Sequence, residues 1–260
     1  MRRVHWEALG SGHSPSWYLD PLAARQKREA HLDLVRRWSG GIPVSRMLKT
    51  DLFEDAFGED CLVDALAQHA AGLCGTDYAF STAHAAAYRW RSHRLFVTVM
   101  DVRELAWRTG TFDVVLSTST LDHFDDRREF VKALRELARV LRPKGLLILT
   151  LDNARNPLYY PLRWASRLGL APFRLGYTPD ARRLDRDLHE ADLIVEGREW
   201  LLHNPRGIST MLFLVLRRVL GRRAGGVIGD LLKTFDLLGR LPTRSLTACF
   251  VAVAARKPAG

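Results

Sequence analysis

The chain has 260 residues, of which 47% are hydrophobic and 26% charged, and 39 Lys and Arg against 29 Asp and Glu give a formal charge of +10. This composition is that of a globular protein and excludes a disordered, collagen-like or coiled-coil chain. The cysteines Cys61, Cys74 and Cys249 are scattered without CxxC or histidine-rich spacing, so neither a disulfide framework nor a structural zinc site is expected.

The positive charge lies at the flanks of the sequence. Segment 41–203 has a net charge of −1, whereas 204–244 contains eight basic and two acidic residues. Such a flank is typical of proteins that bind nucleic acid, anionic lipid or an acidic substrate, and also of an ordinary solvated surface. The most apolar run, 211–220, is interrupted by two arginines and is too short to span a bilayer. The N-terminus has no apolar stretch of the signal-peptide kind, so we expect a cytoplasmic protein.

Short apolar runs and helical segments alternate along the first two thirds of the chain. A helix is predicted over 18–39, entered through Asp20-Pro21 and ended by Gly40-Gly41. Strands are predicted at 44–48, 72–77, 95–100, 112–118 and 145–151, with helices at 61–70, 81–91 and 127–141 between them. Continuous apolar runs indicate strands buried on both faces, and helices between them indicate parallel crossovers. The pattern predicts a doubly wound α/β sheet.

The remaining third repeats this pattern less regularly. A helix is predicted from Thr178, as N-cap, and Pro179, as first helical residue, to about Asp192. Strands at 194–202 and 246–254 are separated by a basic helical segment, 205–243.

Acidic residues stand at the ends of two consecutive predicted strands. Ligands bind beyond the carboxyl ends of the strands of such a sheet. There, Asp77 can accept two hydrogen bonds from a ribose diol. Asp101 can accept one from an adenine amine while the backbone N–H of Val102 donates to a ring nitrogen. Each residue is also a plausible turn former.

Several motifs in this order resemble the class I S-adenosylmethionine-dependent methyltransferases of small-molecule type. They are Gly75-Thr76-Asp77, Met100-Asp101-Val102, Phe112–Ser117 with Leu121-Asp122-His123-Phe124 after it, and 134–150, LRELARVLRPKGLLILT. The resemblance covers about 42–203 plus the last strand. It implies a Rossmann-like mixed seven-stranded sheet, S-adenosylmethionine as cofactor, a small-molecule acceptor, no metal, and a place in small-molecule or secondary metabolism.

The resemblance also implies a division of the chain. Residues 1–41 form an N-terminal helical cap, 42–203 with 245–256 form the cofactor-binding core, and 204–244 is an insert that covers the acceptor.

The first-strand motif departs from the family's glycine-rich G-x-G-x-G loop. The corresponding residues 48–58 are LKTDLFEDAFG, with no glycine until the end. One hypothesis is that side chains replace bare backbone, with Lys49 at the cofactor carboxylate and Thr50 and Asp51 at its amino group or ribose. The other is that the site has decayed and the chain is an inactive S-adenosylmethionine-binding partner protein. A nicotinamide dehydrogenase is disfavoured, because its G-x-G-x-x-G phosphate loop is absent as well.

Residues near the other strand ends complete the candidate site. His123, after the fourth strand, is the first candidate for a general base, oriented by Asp122 or Asp125, and His203 is the second. Both histidines also fit a packing role. Further residues are expected at the cofactor (Tyr78, Val102, Ser117, Thr118) or the acceptor (Tyr18, Tyr159, Tyr160). Lys27 and His31 share one helix face, where they either bind an acidic group or, as we expect, face solvent.

The partner class is left partly open by the sequence. Segment 205–243 fits a lid over the acceptor, a peripheral membrane contact or a dimer contact, and both monomer and homodimer are consistent with the sequence. The basic flanks leave an RNA methyltransferase as a further alternative. DNA adenine methylation is disfavoured, because Ser117-Thr118-Ser119-Thr120 stands where that class has Asn-Pro-Pro-Tyr.

Overall fold

The computed structural model describes Glu7 and residues 20–41, 43–169 and 175–259. The helices are α1 (Pro21–Ser39), α2 (Phe53–Phe57), α3 (Val63–His69), α4 (Phe80–Arg89), α5 (Arg127–Val140), α6 (Tyr159–Arg167), α7 (Ala181–His189), α8 (Ile208–Leu220), α9 (Ala224–Leu237) and α10 (Arg244–Thr247). The strands are β1 (Arg46–Thr50), β2 (Gly72–Asp77), β3 (Leu95–Val99), β4 (Phe112–Thr118), β5 (Leu141–Asp152), β6 (Ile194–Leu201) and β7 (Phe250–Arg256).

These strands form one seven-stranded sheet in the order β3-β2-β1-β4-β5-β7-β6. Strands β1 to β5 pair in parallel, and β7 runs antiparallel between β5 and β6. The predicted doubly wound, mixed α/β fold is confirmed. Chain order reverses at β1, which lies between β2 and β4, and ligands of open α/β sheets bind at such a switch point.

The central strands are buried on both faces because helices cover each side. On one side, Phe130 and Leu134 of α5 pack in a cluster that includes Leu48 of β1. On the other, Leu34 of α1 packs in a cluster with Met47, the neighbouring residue of β1. Successive side chains of a strand point to opposite faces, so β1 contributes to both halves of the core.

Two element boundaries differ from the sequence prediction in a way that matters. Strand β1 starts at Arg46 and ends at Thr50, so it both begins and ends later than the predicted 44–48. Lys49 and Thr50 therefore belong to the buried strand and not to the loop after it. Helix α7 starts at Ala181, and its N-cap is Asp180, whose carboxylate accepts from the backbone N–H of Arg183 at 2.9 Å. The proposed Thr178 cap is therefore wrong.

Helix α1 is fixed to the rest of the molecule along its length. Its N-cap Asp20 accepts from the backbone N–H of Leu22 and pairs with Arg217 of α8 at 2.7 Å. Ala23 of α1 also shares an apolar cluster with Phe213 of α8 and Ile228 of α9. Segment 204–244 thus packs against the N-terminal helix. Within the described ranges, no helix is both long and apolar enough to cross a membrane.

The expected exposure of Lys27 and His31 is wrong, because their face of α1 is turned inward. His31 is buried, with Nδ1 2.7 Å from the Lys27 carbonyl oxygen and Nε2 3.4 Å from the Thr150 hydroxyl of β5. A carbonyl only accepts, so Nδ1 holds the proton and Nε2 accepts from Thr150. Burial, followed by the nearby Lys27 ammonium, lowers the pKa of His31 to about 4.

The buried histidine predicts a loss of stability in acid. Its pKa is lowered from 6.5 to about 4, so the unfolded chain binds the proton first as the pH falls through that window. The free energy of unfolding should fall by about 3 kcal/mol from this group. Urea unfolding of wild type and His31→Gln between these pH values should give curves that converge towards acid. His189→Gln, at an exposed histidine, is the control substitution.

Candidate active site

A cleft of about 610 Å³, including the part open to solvent, lies at the carboxyl ends of β1, β2 and β3 beside the turn that follows β4. Its lining includes Asp51, Asp77 and Asp101, together with Arg103 and His123. The switch point in strand order coincides with the cleft. Three acidic side chains from consecutive strand ends therefore surround one cavity.

The loop after β1 is built on a left-handed aspartate. Asp51 has φ 68, a backbone conformation that Asp and Asn tolerate better than other residues with a Cβ atom. Its carboxylate accepts from the backbone N–H of Phe53 at 2.9 Å, at the start of α2. Burial, with repulsion from Glu54 and Asp77, raises the pKa of Asp51 well above that of an ordinary aspartate. An acidic side chain thus makes the turn without glycine and faces the cleft.

Lys49 stabilises this loop from within the protein. Its side chain is 2% exposed, and its ammonium pairs with the buried carboxylate of Asp55 at 2.7 Å and donates to the carbonyl of Asp51. Burial lowers the pKa of Lys49, but the charges of Asp55 and Asp51 outweigh it and the pKa is raised. The Asp55 carboxylate also accepts from the backbone N–H groups of Leu62 and Val63, at 2.8 and 3.1 Å.

The position of Lys49 does not match its predicted role at the cofactor carboxylate. It lines a second cavity of about 320 Å³, which lies beside Lys27 and Glu54 rather than Asp77 and Asp101. Lys27 reaches into the same region from α1, with its ammonium 2.8 Å from Glu54 and 2.7 Å from Asp60. The ammonium of Lys49 already pairs with Asp55, so we infer that Lys49 holds the loop in place rather than binding the cofactor carboxylate.

Asp77 links the ends of β1 and β2 and still has acceptor capacity towards the cleft. One carboxylate oxygen accepts from the backbone N–H of Leu52 at 2.9 Å and the other from Ala79 at 2.8 Å. Each oxygen can accept a second hydrogen bond. Burial raises the pKa of Asp77. Beside it, the hydroxyl of Thr76 lines the cleft, is buried, and has no hydrogen-bond partner within the described ranges.

Asp101 is held by an arginine that the sequence analysis missed. The guanidinium of Arg103 donates to both oxygens of Asp101 and also pairs with Glu129 of α5. Burial raises the pKa of Asp101, but Arg103 outweighs it and the pKa is lowered. Arg103 also lies 5.1 Å from the centre of the Phe124 ring. The spacing Asp-Val-Arg could have suggested a local pair, whereas Glu129 is close only in the fold.

His123 lies on a short 3₁₀ turn, Leu121–His123, that is clamped by a distant segment. The backbone N–H of Gly176 donates to the carbonyl of Asp122 at 2.7 Å, and that of Tyr177 donates to Phe124 at 2.6 Å. The contact is so close that a Cβ atom on Gly176 would lie 2.1 Å from the Phe124 carbonyl oxygen. The position of His123 therefore depends on this segment.

A buried acidic pair lies beneath the same turn. Asp122 accepts from the backbone N–H of Asp152 at 2.7 Å, and Asp152 pairs with Arg206. Burial and the charge of Asp152 raise the pKa of Asp122 to about 6. This arrangement joins the end of β5 and the start of the basic segment to the His123 turn.

The other residues predicted from the sequence divide into two groups. Thr50, Tyr78 and Val102 line the cleft, and Ser117 is buried beside it, accepting from the Thr50 hydroxyl at 2.9 Å. Four residues lie outside the cleft lining: Thr118 in the smaller cavity, Tyr159 buried against the Gly176 carbonyl, Tyr160 at 63% exposure, and His203 packed between Thr247 and Gly239. Tyr18 lies outside the described residues. Within those residues, no group of His, Cys, Asp or Glu is arranged to hold a metal ion.

The sequence and fold match those of known proteins. The family model described as "Methyltransferase domain" matches residues 55–149. The [4+2]-cyclase SpnF is 21% identical over 92% of this chain and 82% of its own, with a TM-score of 0.60. Geranyl diphosphate C-methyltransferase from Streptomyces coelicolor A3(2) is 13% identical over 90% and 80%, with a TM-score of 0.62. N-methyltransferase NodS from Bradyrhizobium japonicum WM9 is 17% identical over 89% and 87%, with a TM-score of 0.54.

At these identities the solved structures establish the fold, and the family model establishes the domain. Together they show a methyltransferase domain over residues 55–149, in a fold shared with solved methyltransferases that bind S-adenosylmethionine or S-adenosylhomocysteine. The cleft fits S-adenosylmethionine: the unpartnered Thr76 hydroxyl beside Asp77 suits a ribose, and three carboxylates suit a ligand with positive charge. Because the cyclase has the same fold, the fold alone does not specify the reaction.

The clamp on the His123 turn predicts that Gly176 does not tolerate a side chain. Gly176→Ala places a Cβ against backbone, which must shift, and overpacking of this kind costs about 1–3 kcal/mol. Gly226→Ala in α9 is the control, because its Cβ meets nothing within 4 Å and the helix should gain about 0.5–1 kcal/mol. Urea unfolding measures both. Equal stability of the two variants would contradict the close contact.

Proposed function

We propose that the cleft binds S-adenosylmethionine and that His123 acts as general base towards a small-molecule acceptor. The observation that supports this most directly is the convergence of Asp51, Asp77 and Asp101 on one cavity that also contains His123. When bound, the cofactor supplies an electrophilic methyl group. The protein then has to position the acceptor and, where the acceptor is protonated, remove its proton.

The adenosine end of the cofactor is assigned to the ends of β2 and β3. Asp77 keeps acceptor capacity for ribose hydroxyls, and the Thr76 hydroxyl offers both a donor and an acceptor. Asp101 and Val102 are assigned to the adenine, with Tyr78 beside them. Arg103 keeps the Asp101 carboxylate ionised and oriented, which favours its role as an acceptor.

The methionine end is assigned to the loop after β1. Asp51 presents a carboxylate where a glycine loop would present N–H groups, and the Thr50 hydroxyl lies between those of Ser117 and Thr120. A carboxylate attracts an ammonium or sulfonium group but repels a carboxylate. We therefore assign Asp51 to the positive groups of the cofactor, while Lys49 holds the loop through Asp55.

The acceptor is proposed to be a small molecule that is anionic or lipid-like. The support is the basic character of 204–244, proposed as the part that covers the acceptor, and its link to the His123 turn through Arg206 and Asp152. The three-part division into cap, core and insert remains part of this proposal.

The charge on Asp51 can be tested by its effect on cofactor binding. Asp51→Asn keeps a residue that tolerates the left-handed backbone and can accept from Phe53, so it removes little besides the charge. We expect S-adenosylmethionine to bind the variant more weakly by about 1.5–3 kcal/mol at neutral pH. In the wild type, the affinity for S-adenosylmethionine should fall as the pH is lowered and Asp51 becomes protonated. Because the pKa of Asp51 is raised, this protonation begins at a higher pH than for an ordinary aspartate. The variant should lack that component.

Calorimetric titration at neutral pH and at successively lower pH measures this effect. S-adenosylhomocysteine is the control ligand, because it lacks the sulfonium charge and should lose less affinity in the variant. Equal affinity of wild type and Asp51→Asn for S-adenosylmethionine at every pH would remove Asp51 from the site.

The proposed reaction is tested by formation of S-adenosylhomocysteine. The chain is incubated with S-adenosylmethionine and an ultrafiltrate of an extract of the source organism, which contains small molecules and no macromolecules. Product should form with the ultrafiltrate, and His123→Gln should slow it by about 10²–10⁴-fold with cofactor affinity unchanged. His203→Gln, outside the cleft, should retain the wild-type rate. If S-adenosylhomocysteine forms only with the macromolecules that the filter retains, and ribonuclease treatment abolishes its formation, RNA is the acceptor instead.

A further inference from the structure

Helix α8 exposes an apolar face to solvent. Five of its large apolar side chains are 39–72% exposed: Ile208, Met211, Leu212, Val215 and Val219. At 3.6 residues per turn they fall within an arc of roughly 100° on one side of the helix. Single exposed apolar residues are common on protein surfaces, but a continuous stripe of five marks an interaction surface.

The opposite side of α8 fixes the direction of this stripe. Phe213 is buried in the cluster with Ala23 and Ile228, and the Arg217 guanidinium pairs with Asp20 at 2.7 Å. An apolar contact and an ion pair thus hold the helix on α1 and α9. The outward stripe is therefore part of the packed arrangement of these helices.

Positive charge lies at one end of the stripe. Arg218 is exposed on α8, and Arg222 and Arg223 are exposed in the turn that follows. Helix α8 contains no acidic residue. The two acidic residues of 204–244 lie on α9, where Asp230 pairs with Lys233 and Asp236 accepts from Gln26. No carboxylate of this segment therefore lies on the helix with the exposed stripe.

We infer that α8 docks on an anionic phospholipid surface. An in-plane amphipathic helix inserts its apolar face between headgroups and acyl chains, and its basic side chains bind the lipid phosphates. The helix has 13 residues and is about 20 Å long, which suits lying along a membrane surface. A purely apolar partner would leave the arginines without counter-charges, whereas an anionic bilayer provides both components. The inference does not rest on the proposed acceptor or on methyl transfer.

Co-sedimentation of the full chain with vesicles tests the docking. Vesicles of phosphatidylcholine alone are compared with vesicles of equal parts phosphatidylcholine and phosphatidylglycerol, at low and high salt. The chain should sediment with the anionic vesicles, much less with the zwitterionic ones, and less at high salt, since salt screens the charge component.

Two matched pairs of variants separate the apolar and the charged contributions. Val215→Glu should reduce binding at least about tenfold, because it removes an inserted side chain and adds a repelled charge. Ile194→Glu on the edge strand β6, at 56% exposure against 54% for Val215, should leave binding close to wild type. Replacing Arg218, Arg222 and Arg223 by Gln should weaken binding on the order of 100-fold, about fivefold per arginine. The same change at Arg182, Arg183 and Arg186 of α7 should have much less effect.

All these positions are exposed, so thermal unfolding should confirm that the variants remain folded. The proposal is overturned if the wild type does not sediment with anionic vesicles, or if Val215→Glu binds them as well as Ile194→Glu does. If the wild type does not bind vesicles but forms dimers, and Val215→Glu dissociates these dimers, the exposed face of α8 is a contact between two copies of the chain.

Discussion

The buried ion pair between Lys49 and Asp55 is the interaction on which the loop beside the main cleft depends. Without glycine, the turn after β1 is formed by Asp51 in a left-handed conformation, and the ammonium of Lys49 holds the carbonyl of that residue. Asp55 completes the arrangement through the backbone N–H groups of Leu62 and Val63. Removal of one member of a buried pair leaves an uncompensated charge, so the two residues are constrained together. The conformation of the loop is therefore fixed by charged side chains and not by the backbone freedom of glycine.

The same arrangement concentrates negative charge beside the sheet. Burial, with the charge of Glu54, raises the pKa of Asp51 and of Asp77, and Lys49 partly offsets this rise from the side away from the main cleft. Burial also acts to raise the pKa of Glu54, but Lys27, on the same side as Lys49, outweighs it and lowers the pKa of Glu54 to about 2. The main cleft is lined by Asp51, Asp77 and Asp101, of which, among the described residues, only Asp101 is paired with a cation of the lining, Arg103, while the lysines lie behind the loop. Charge separation across one turn thus prepares the site for a cationic ligand before that ligand arrives.

The sequence predicted the elements and residues whose positions depend on neighbours in the sequence, and it did not predict those whose partners are distant in the sequence. Strands β2 and β4 were predicted at their observed bounds, because each short β-prone segment stands between helical patterns and ends in polar residues. Asp77 and Asp101 were found because each stands at a strand end. Lys49 was misplaced because the pattern put it in a loop, and only the fold shows that its strand continues and that Asp55 faces it.

Similar reasons explain the other errors. Tyr159 is expected at the acceptor, and the contact that the sequence did not predict is the one in which its hydroxyl donates to the carbonyl of Gly176, outside its own helix. His31 looked like a surface residue because its neighbours on α1 are charged, and its burial comes from the contact with Thr150 of β5. His31 and Thr150 are more than a hundred residues apart in the sequence. The pattern of neighbouring residues does not predict a contact of this kind.

The position of β7 has a consequence for biosynthesis. Residues 250–256 fill the space between β5 and β6, so β6 has no partner in the sheet until they have been made. A nascent or truncated product that stops before Phe250 would leave the edge of β5 open and β6 unpaired. Exposed strand edges of this kind favour pairing with other chains. We therefore expect premature termination in the last part of the chain to yield an aggregating product rather than a shortened enzyme.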